Sequence, residues 1–135
     1  MRSVCLRRVL VSLWLAAWPG ATLLGQAVRA NTQRGARRFG EAGCNGCHTV
    51  AGVGGMVGPN LTGVAARPLR ESHRWASVAA YIGQSIREPQ AYVVSGFPRV
   101  MPSPTKLQLT EQDIRDLIAY LLTLRAAPDS SGRPP

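Results

Sequence analysis

Residues 44–48 read Cys-Asn-Gly-Cys-His, and this pentapeptide constrains the chain more than any other feature. Two thiols three positions apart reach the two vinyl groups of one porphyrin if the backbone turns once between them. An imidazole directly after the second thiol then lies under the macrocycle and points at the iron. Cys44, Cys47 and His48 therefore predict covalent attachment of one haem c, with His48 as an iron ligand.

Other interpretations of a cysteine pair are weaker in this sequence. A thioredoxin-like redox pair needs a surrounding βαβ pattern, which the sequence lacks. A structural zinc site needs four ligands, but outside the pentapeptide only Cys5 and His73 remain. A redox or assembly chaperone that uses the two thiols would leave His48 and the distal half of the chain without a role. Haem attachment is favoured over all three.

The N-terminal segment is typical of a secretory signal. Basic residues precede a mostly apolar run from Val9 to Leu24, and Val28-Arg29-Ala30 resembles a signal-peptidase site. The apolar run is shorter than the roughly 20 residues that a membrane-spanning helix needs. We therefore expect cleavage and a periplasmic location, with an uncleaved membrane anchor as the open alternative. Export agrees with the pentapeptide, because covalent haem attachment takes place outside the cytoplasm.

The chain is basic, with sixteen Lys and Arg against seven Asp and Glu and a formal charge of +9. Cleavage after Ala30 would remove four arginines and leave +5. An excess of this size suits docking to an acidic protein or to a membrane surface. Nucleic-acid binding is not expected, because the sequence has no basic run with interleaved aromatic residues.

Apolar periodicity predicts a first helix over about Thr32–Ala42. Gly35, Phe39 and Gly43 share one face of it, and the two glycines favour the close approach of another helix. The glycine-rich stretch 49–68 predicts a loop with little regular structure.

Two further helices are predicted in the second half of the chain. One covers about Trp75–Arg87 and ends before Pro89, because the residue before a proline avoids the helical conformation. The other follows an N-cap at Thr110 and carries an i, i+3, i+4 apolar stripe through Leu122. The connector 90–109 contains several prolines and predicts a loop.

The second axial ligand of the iron decides which chemistry the haem supports. Met101 lies fifty-three positions beyond His48, far enough to reach the opposite haem face, and Pro102 stiffens its loop. Met56 lies too close to His48 in sequence, and His73 sits in a charged segment typical of solvent exposure. We expect Met101 to bind the iron. If a protein ligand occupies this second axial position, the site is closed, which predicts an electron carrier without catalytic residues. An open second position would indicate a haem enzyme or gas sensor.

Together these features resemble the small monohaem class I cytochromes c, from about Gly35 to Leu124. The resemblance implies an all-α fold in which three to five helices wrap around one covalently bound haem. It implies that the carbonyl of Pro59 accepts a hydrogen bond from the His48 imidazole. It also matches Trp75 to a residue that bonds a haem propionate in many members, with core packing as the alternative. The implied division is a signal peptide at 1–30, a cytochrome c domain at 31–126 and a disordered tail at 127–135.

A more particular similarity is to the cytochrome c domain fused to some bacterial cytochrome c oxidase subunits II. The matching residues include Tyr81-Ile82, Gly96-Phe97-Pro98 and Met101-Pro102. This similarity implies redox protein partners in a respiratory chain, such as a terminal oxidase or its electron donor. Many members carry lysines around the haem edge, but this chain has a single lysine, Lys106. We expect four arginines to form the docking rim instead, with ordinary solvated charges as the alternative: Arg67, Arg70, Arg74 and Arg99.

Overall fold

The computed structural model describes residues 29–67 and 74–125. Three helices carry the fold: α1 (Thr32–Glu41), α2 (Val78–Arg87) and α3 (Glu111–Leu121). The strands β1 (Thr49–Val50) and β2 (Val53–Gly54) form a two-stranded antiparallel sheet. The predicted small, mostly helical fold is confirmed.

Several sequence predictions concern residues outside the described part of the chain. They are the signal peptide up to residue 28, the tail beyond residue 125, His73 and Arg70. Within residues 29–67 and 74–125, no helix has the length and apolar character to cross a membrane.

Each helix begins at a side chain that caps its first backbone N–H groups. Asn31 accepts a hydrogen bond from the N–H of Arg34 at the start of α1. The side chain of Ser77 accepts a hydrogen bond from the N–H of Ala80 at the start of α2. Thr110 and Asp113 form a reciprocal capping box at α3. Such caps satisfy donors that have no partner within the helix, and each contributes about 1 kcal/mol.

Helices α2 and α3 are shorter than the sequence predicted. Helix α2 begins at Val78 and not near Trp75, because Ser77 has an extended backbone and caps the helix. Trp75 is instead buried in the segment before the helix. Helix α3 ends at Leu121, and Leu122 is its C-cap.

Helices α1 and α3 cross at close range. A Cβ at Gly35 would overlap the backbone carbonyl of Asp116, so only glycine permits this approach. Beside it, the rings of Phe39 and Tyr120 lie with centroids 5.6 Å apart. The predicted helix contact is therefore confirmed at Gly35. The same prediction for Gly43 was wrong: a Cβ there would meet open space, and its φ of 73° instead starts the turn after α1.

The small sheet was not predicted. Val50 pairs with Val53, and the two residues between them, Ala51 and Gly52, both have positive φ, 49° and 81°. Positive φ at both central positions is the requirement of the two-residue type I′ hairpin turn, which usually takes Asn-Gly or Gly-Gly. Because alanine and not asparagine or glycine occupies the first of these positions, the sequence did not predict the hairpin.

Candidate haem-binding site

The pentapeptide forms the tight turn that its spacing requires. Cys44–Gly46 is a 3₁₀ turn, and the carbonyl of Cys44 accepts the N–H groups of Cys47 and His48 at 3.2 and 2.9 Å. Both cysteine side chains are half-buried. Before haem is attached, burial raises the pKa of the Cys44 thiol.

The imidazole of His48 is held by one directed hydrogen bond. Its Nδ1 lies 2.8 Å from the carbonyl oxygen of Pro59. A carbonyl oxygen can only accept, so Nδ1 carries the proton and donates it. The lone pair of Nε2 is then free to bind a metal ion.

The loop that contains Pro59 lies directly against the imidazole. A Cβ at Gly58 would come within 2.5 Å of Cε1 of His48. The backbone N–H of Gly58 also donates to the carbonyl of Cys47 at 2.8 Å. The absence of a side chain at Gly58 therefore lets the loop hold both the ring and the turn before it.

One large cavity adjoins these residues. It comprises about 1200 Å³ of unfilled space, including its mouth to solvent, and Cys44, Cys47, His48 and Met101 all line it. Met101 is half-buried and packs against the hydrophobic core. Most other lining residues are apolar, among them Leu61, Val64, Ile82, Ile86, Val94 and Phe97.

The family model for cytochrome c matches residues 32–125, most of the chain. The chain belongs to the cytochrome c family. No curated protein matches it. Family membership establishes covalently bound haem c with iron as the cofactor and haem-based electron transfer as the general function. Cytochromes c are typically electron carriers, and their domains are usually exported.

The residues present in this cytochrome fit that cofactor. Two cysteines and one histidine of the attachment motif line one apolar space, which is what covalent attachment of a c-type haem requires, and Met101 lines the same space. Among the described residues, no three His, Cys, Asp or Glu side chains lie close enough to form another metal site.

Side-chain hydrogen bonds to backbone carbonyls hold the segment around Met101. Gln90 Nε2 donates to the Met101 carbonyl at 3.3 Å, and Arg99 Nη1 donates to the Gln90 carbonyl at 2.8 Å. Farther along the chain, Arg38 of α1 donates to the carbonyl of Gln108 at 2.6 Å. These bonds fix the backbone of a segment that has no helix or strand of its own.

Two other residues that the sequence suggested for the site, Met56 and Trp75, do not line the cavity. Met56 is 87% exposed and does not line the cavity. Trp75 does not line it either, and its Nε1 donates to Oε1 of Gln84 at 2.6 Å. Trp75 is therefore buried and hydrogen-bonded to Gln84, and its bond to a haem propionate stays a prediction.

The structure also brings residues to the site that the sequence did not indicate. For Gly58, the sequence suggested its place in the loop with Pro59 but not its contact with the ring of His48. Tyr92, from the proline-rich connector, lines the cavity without any periodicity that would have revealed it.

Proposed function

We propose that this cytochrome is an electron carrier whose haem iron is held between Nε2 of His48 and the sulfur of Met101. The observation that carries the proposal is the shared cavity: residues fifty-three positions apart in the sequence line one apolar space. The free Nε2 of His48 and the half-buried thioether are the two ligand types that electron-transfer cytochromes c use.

Ligation by these two residues favours electron transfer for two physical reasons. A thioether is a soft, weak donor, so it favours ferrous iron and raises the reduction potential relative to two imidazoles. Two protein ligands also leave the iron no free position for peroxide or oxygen. When bound, the haem takes up and releases one electron, and we infer that no residue acts as a catalytic acid or base.

The residues of the chain would keep the site rigid while the iron changes its oxidation state. Pro59 fixes the tautomer and orientation of His48 through the bond to Nδ1. The bonds of Gln90 to Met101 and of Arg38 to Gln108 hold the opposite segment. Small rearrangement on oxidation and reduction is what a fast carrier needs.

The location and partners of the carrier are inferred from sequence features. The signal-like N-terminus supports a periplasmic protein in a respiratory chain. Covalent haem attachment supports the same location, because it takes place outside the cytoplasm. Membrane association would depend on an uncleaved N-terminus. The net positive charge supports docking to an acidic redox partner, such as a terminal oxidase or its electron donor.

The axial assignment is tested by Met101→Ala in the protein with attached haem, with Met56→Ala as the matched control. The oxidised wild type should show the weak long-wavelength charge-transfer band of sulfur on ferric haem. Met101→Ala should lose the band and bind carbon monoxide readily when reduced, whereas Met56→Ala should behave as the wild type. A band that survives in Met101→Ala, or rapid carbon monoxide binding by the wild type, would contradict the proposal and favour an open site.

A further inference from the structure

Asn31, the N-cap of α1, is held by residues that follow it in the chain. Its side chain accepts a hydrogen bond from the N–H of Arg34 at 2.8 Å, and its carbonyl accepts one from Gly35 at 3.0 Å. Its own backbone N–H donates to Oδ1 of Asp116 on α3 at 2.7 Å. Removal of the residues before Asn31 would therefore leave these three bonds in place.

The acceptor of the Asn31 N–H is a buried carboxylate. Asp116 is 2% exposed, and Nε of Arg34 donates to its Oδ2 at 2.7 Å. The side chain of Arg34 is 42% exposed, so water screens part of its charge. Gln112 donates a further, uncharged bond to Oδ1 at 2.9 Å. A buried carboxylate in these surroundings is stabilised further if one of its neutral donors becomes positively charged.

The residues immediately before α1 are exposed and contribute bonds that the domain can lose. Both Arg29 and Ala30 are exposed. The carbonyl of Arg29 accepts a bond from Nη2 of Arg34 at 3.1 Å and lies 3.5 Å from Nε2 of Gln112. The same two donor atoms also bond Oδ1 of Asp116, so each keeps a partner if Arg29 is removed.

We propose that the Ala30–Asn31 peptide bond is cleaved on export and that Asp116 binds the amino group released there. Val28-Arg29-Ala30 is the signal-peptidase pattern of the sequence. The peptidase hydrolyses the bond with one water, so that Ala30 leaves with the carboxylate and Asn31 keeps the ammonium. The nitrogen released is the atom that already donates to Asp116, so a neutral donor becomes a charged one without movement of the chain.

This proposal rests on the proposed export of the protein and not on the ligands of the iron. An uncleaved N-terminus would contradict it without affecting electron transfer. Loss of the iron–sulfur bond would contradict the axial assignment without affecting the N-terminus. The two proposals can therefore fail separately.

The bond to Asp116 should raise the pKa of the Asn31 amino group. An ordinary α-amino group has a pKa of about 7.7–8.0. The carboxylate of Asp116 favours the ammonium, whereas the guanidinium of Arg34 and the positive end of the α1 dipole oppose it. Farther away, Asp113 and Arg38 form an ion pair at 3.5 Å. The direct contact with a buried carboxylate should outweigh the opposing charges, because the dipole is shared over the first turn and Arg34 is partly solvated.

The test uses the haem-loaded protein, exported from a cell with its own N-terminal segment. N-terminal sequencing and intact mass identify the first residue. The pKa of its amino group is measured from the pH dependence of acylation by a trace of reagent, followed by mass spectrometry of the N-terminal peptide. Asp116→Asn and Arg34→Gln are compared with matched controls at exposed residues of α1, Glu41→Gln and Arg37→Gln.

Asn31 should be the first residue, and its amino group should titrate above the ordinary range. Asp116→Asn should return the pKa to that range, because a neutral amide does not favour the ammonium over the amine. Arg34→Gln should raise the pKa further, since it removes a like charge while the carboxylate stays. The two control variants should match the wild type.

A first residue other than Asn31, or an intact N-terminal segment, would overturn the proposal. An amino group of Asn31 that titrates in the ordinary range would overturn it as well. So would a raised pKa that neither Asp116→Asn nor Arg34→Gln changes, because the amino group would then owe its pKa to other groups. Should Asp116→Asn fail to fold, the direction of the change in Arg34→Gln decides the question alone.

Discussion

The orientation of the His48 imidazole depends on backbone atoms that almost touch it. The Pro59 carbonyl binds Nδ1, and Gly58 leaves room for the ring against the same loop. Any side chain at position 58 must push either the ring or the loop, and both movements lengthen the bond to Pro59. The ligand geometry is thus set by the absence of a side chain at one residue.

Gly58→Ala should therefore weaken the histidine side of the site. The added methyl group would meet Cε1 at 2.5 Å, and overpacking of this kind costs about 1–3 kcal/mol. We expect a lower thermal midpoint and an altered midpoint potential in the haem-loaded protein. Gly40→Ala is the control: a Cβ at Gly40 in α1 meets open space, so this change should stabilise the protein by about 0.5–1 kcal/mol. Equal behaviour of the two variants would show that Gly58 does not constrain His48.

The residues of the site differ in how far the sequence could predict them. The tight turn of Cys44, Cys47 and His48 follows from local spacing, so a short window of sequence is sufficient. The place of Trp75 depends on Gln84 and on two tyrosines of other segments, and a local pattern contains no information on those contacts.

At the scale of elements, a buried carboxylate ties the start of α1 to α3. Asp116 is 2% exposed, and its two oxygens accept hydrogen bonds from the N–H of Asn31, from Arg34 and from Gln112. Burial alone would raise the pKa of Asp116, but these bonds outweigh it and hold the pKa below its ordinary value. The contact lies beside Gly35, where the two helices come closest.

Acid should weaken this contact. Because the pKa of Asp116 is lower in the folded than in the unfolded chain, its contribution is fully present above the unfolded value of about 3.9. That contribution is lost as the pH falls through the folded pKa. Asp116→Asn should lower the free energy of unfolding by about 1–3 kcal/mol at neutral pH. The gap in this free energy between the variant and the wild type should narrow below about pH 4. Denaturant unfolding at a series of pH values measures the gap. Glu41→Gln, at an exposed carboxylate, is the control; a pH-independent gap for Asp116→Asn would contradict the assignment.

The elements were predictable where one residue decides a boundary through its own chemistry. Thr110 with Asp113 forms the capping box that begins α3, and Glu88 before Pro89 ends α2. The hairpin at Val50 and Val53 was not predictable, because its turn takes an alanine in a conformation that favours glycine.

At the scale of the whole molecule, the hydrophobic core is small and borders the cavity. Eight apolar side chains of the described residues are buried, and several of them also form the cavity wall: Val64, Ile82, Ile86 and Leu121. Without the cofactor these residues would face water across an open space. Domains of this size bury a limited fraction of their surface and depend strongly on each contact.

The chain without haem is therefore expected to be largely unfolded. The two covalent bonds keep the haem on the chain in both states, but the macrocycle packs against the cavity wall only in the folded state, and this burial of apolar surface stabilises that state. The test uses the full chain produced in a host that lacks the attachment machinery, compared with the haem-loaded protein. Far-ultraviolet circular dichroism should show little helix and no cooperative melting in the former, and a sharp transition in the latter. A cooperative transition of the haem-free chain would mean that packing of α1 against α3 suffices to fold it.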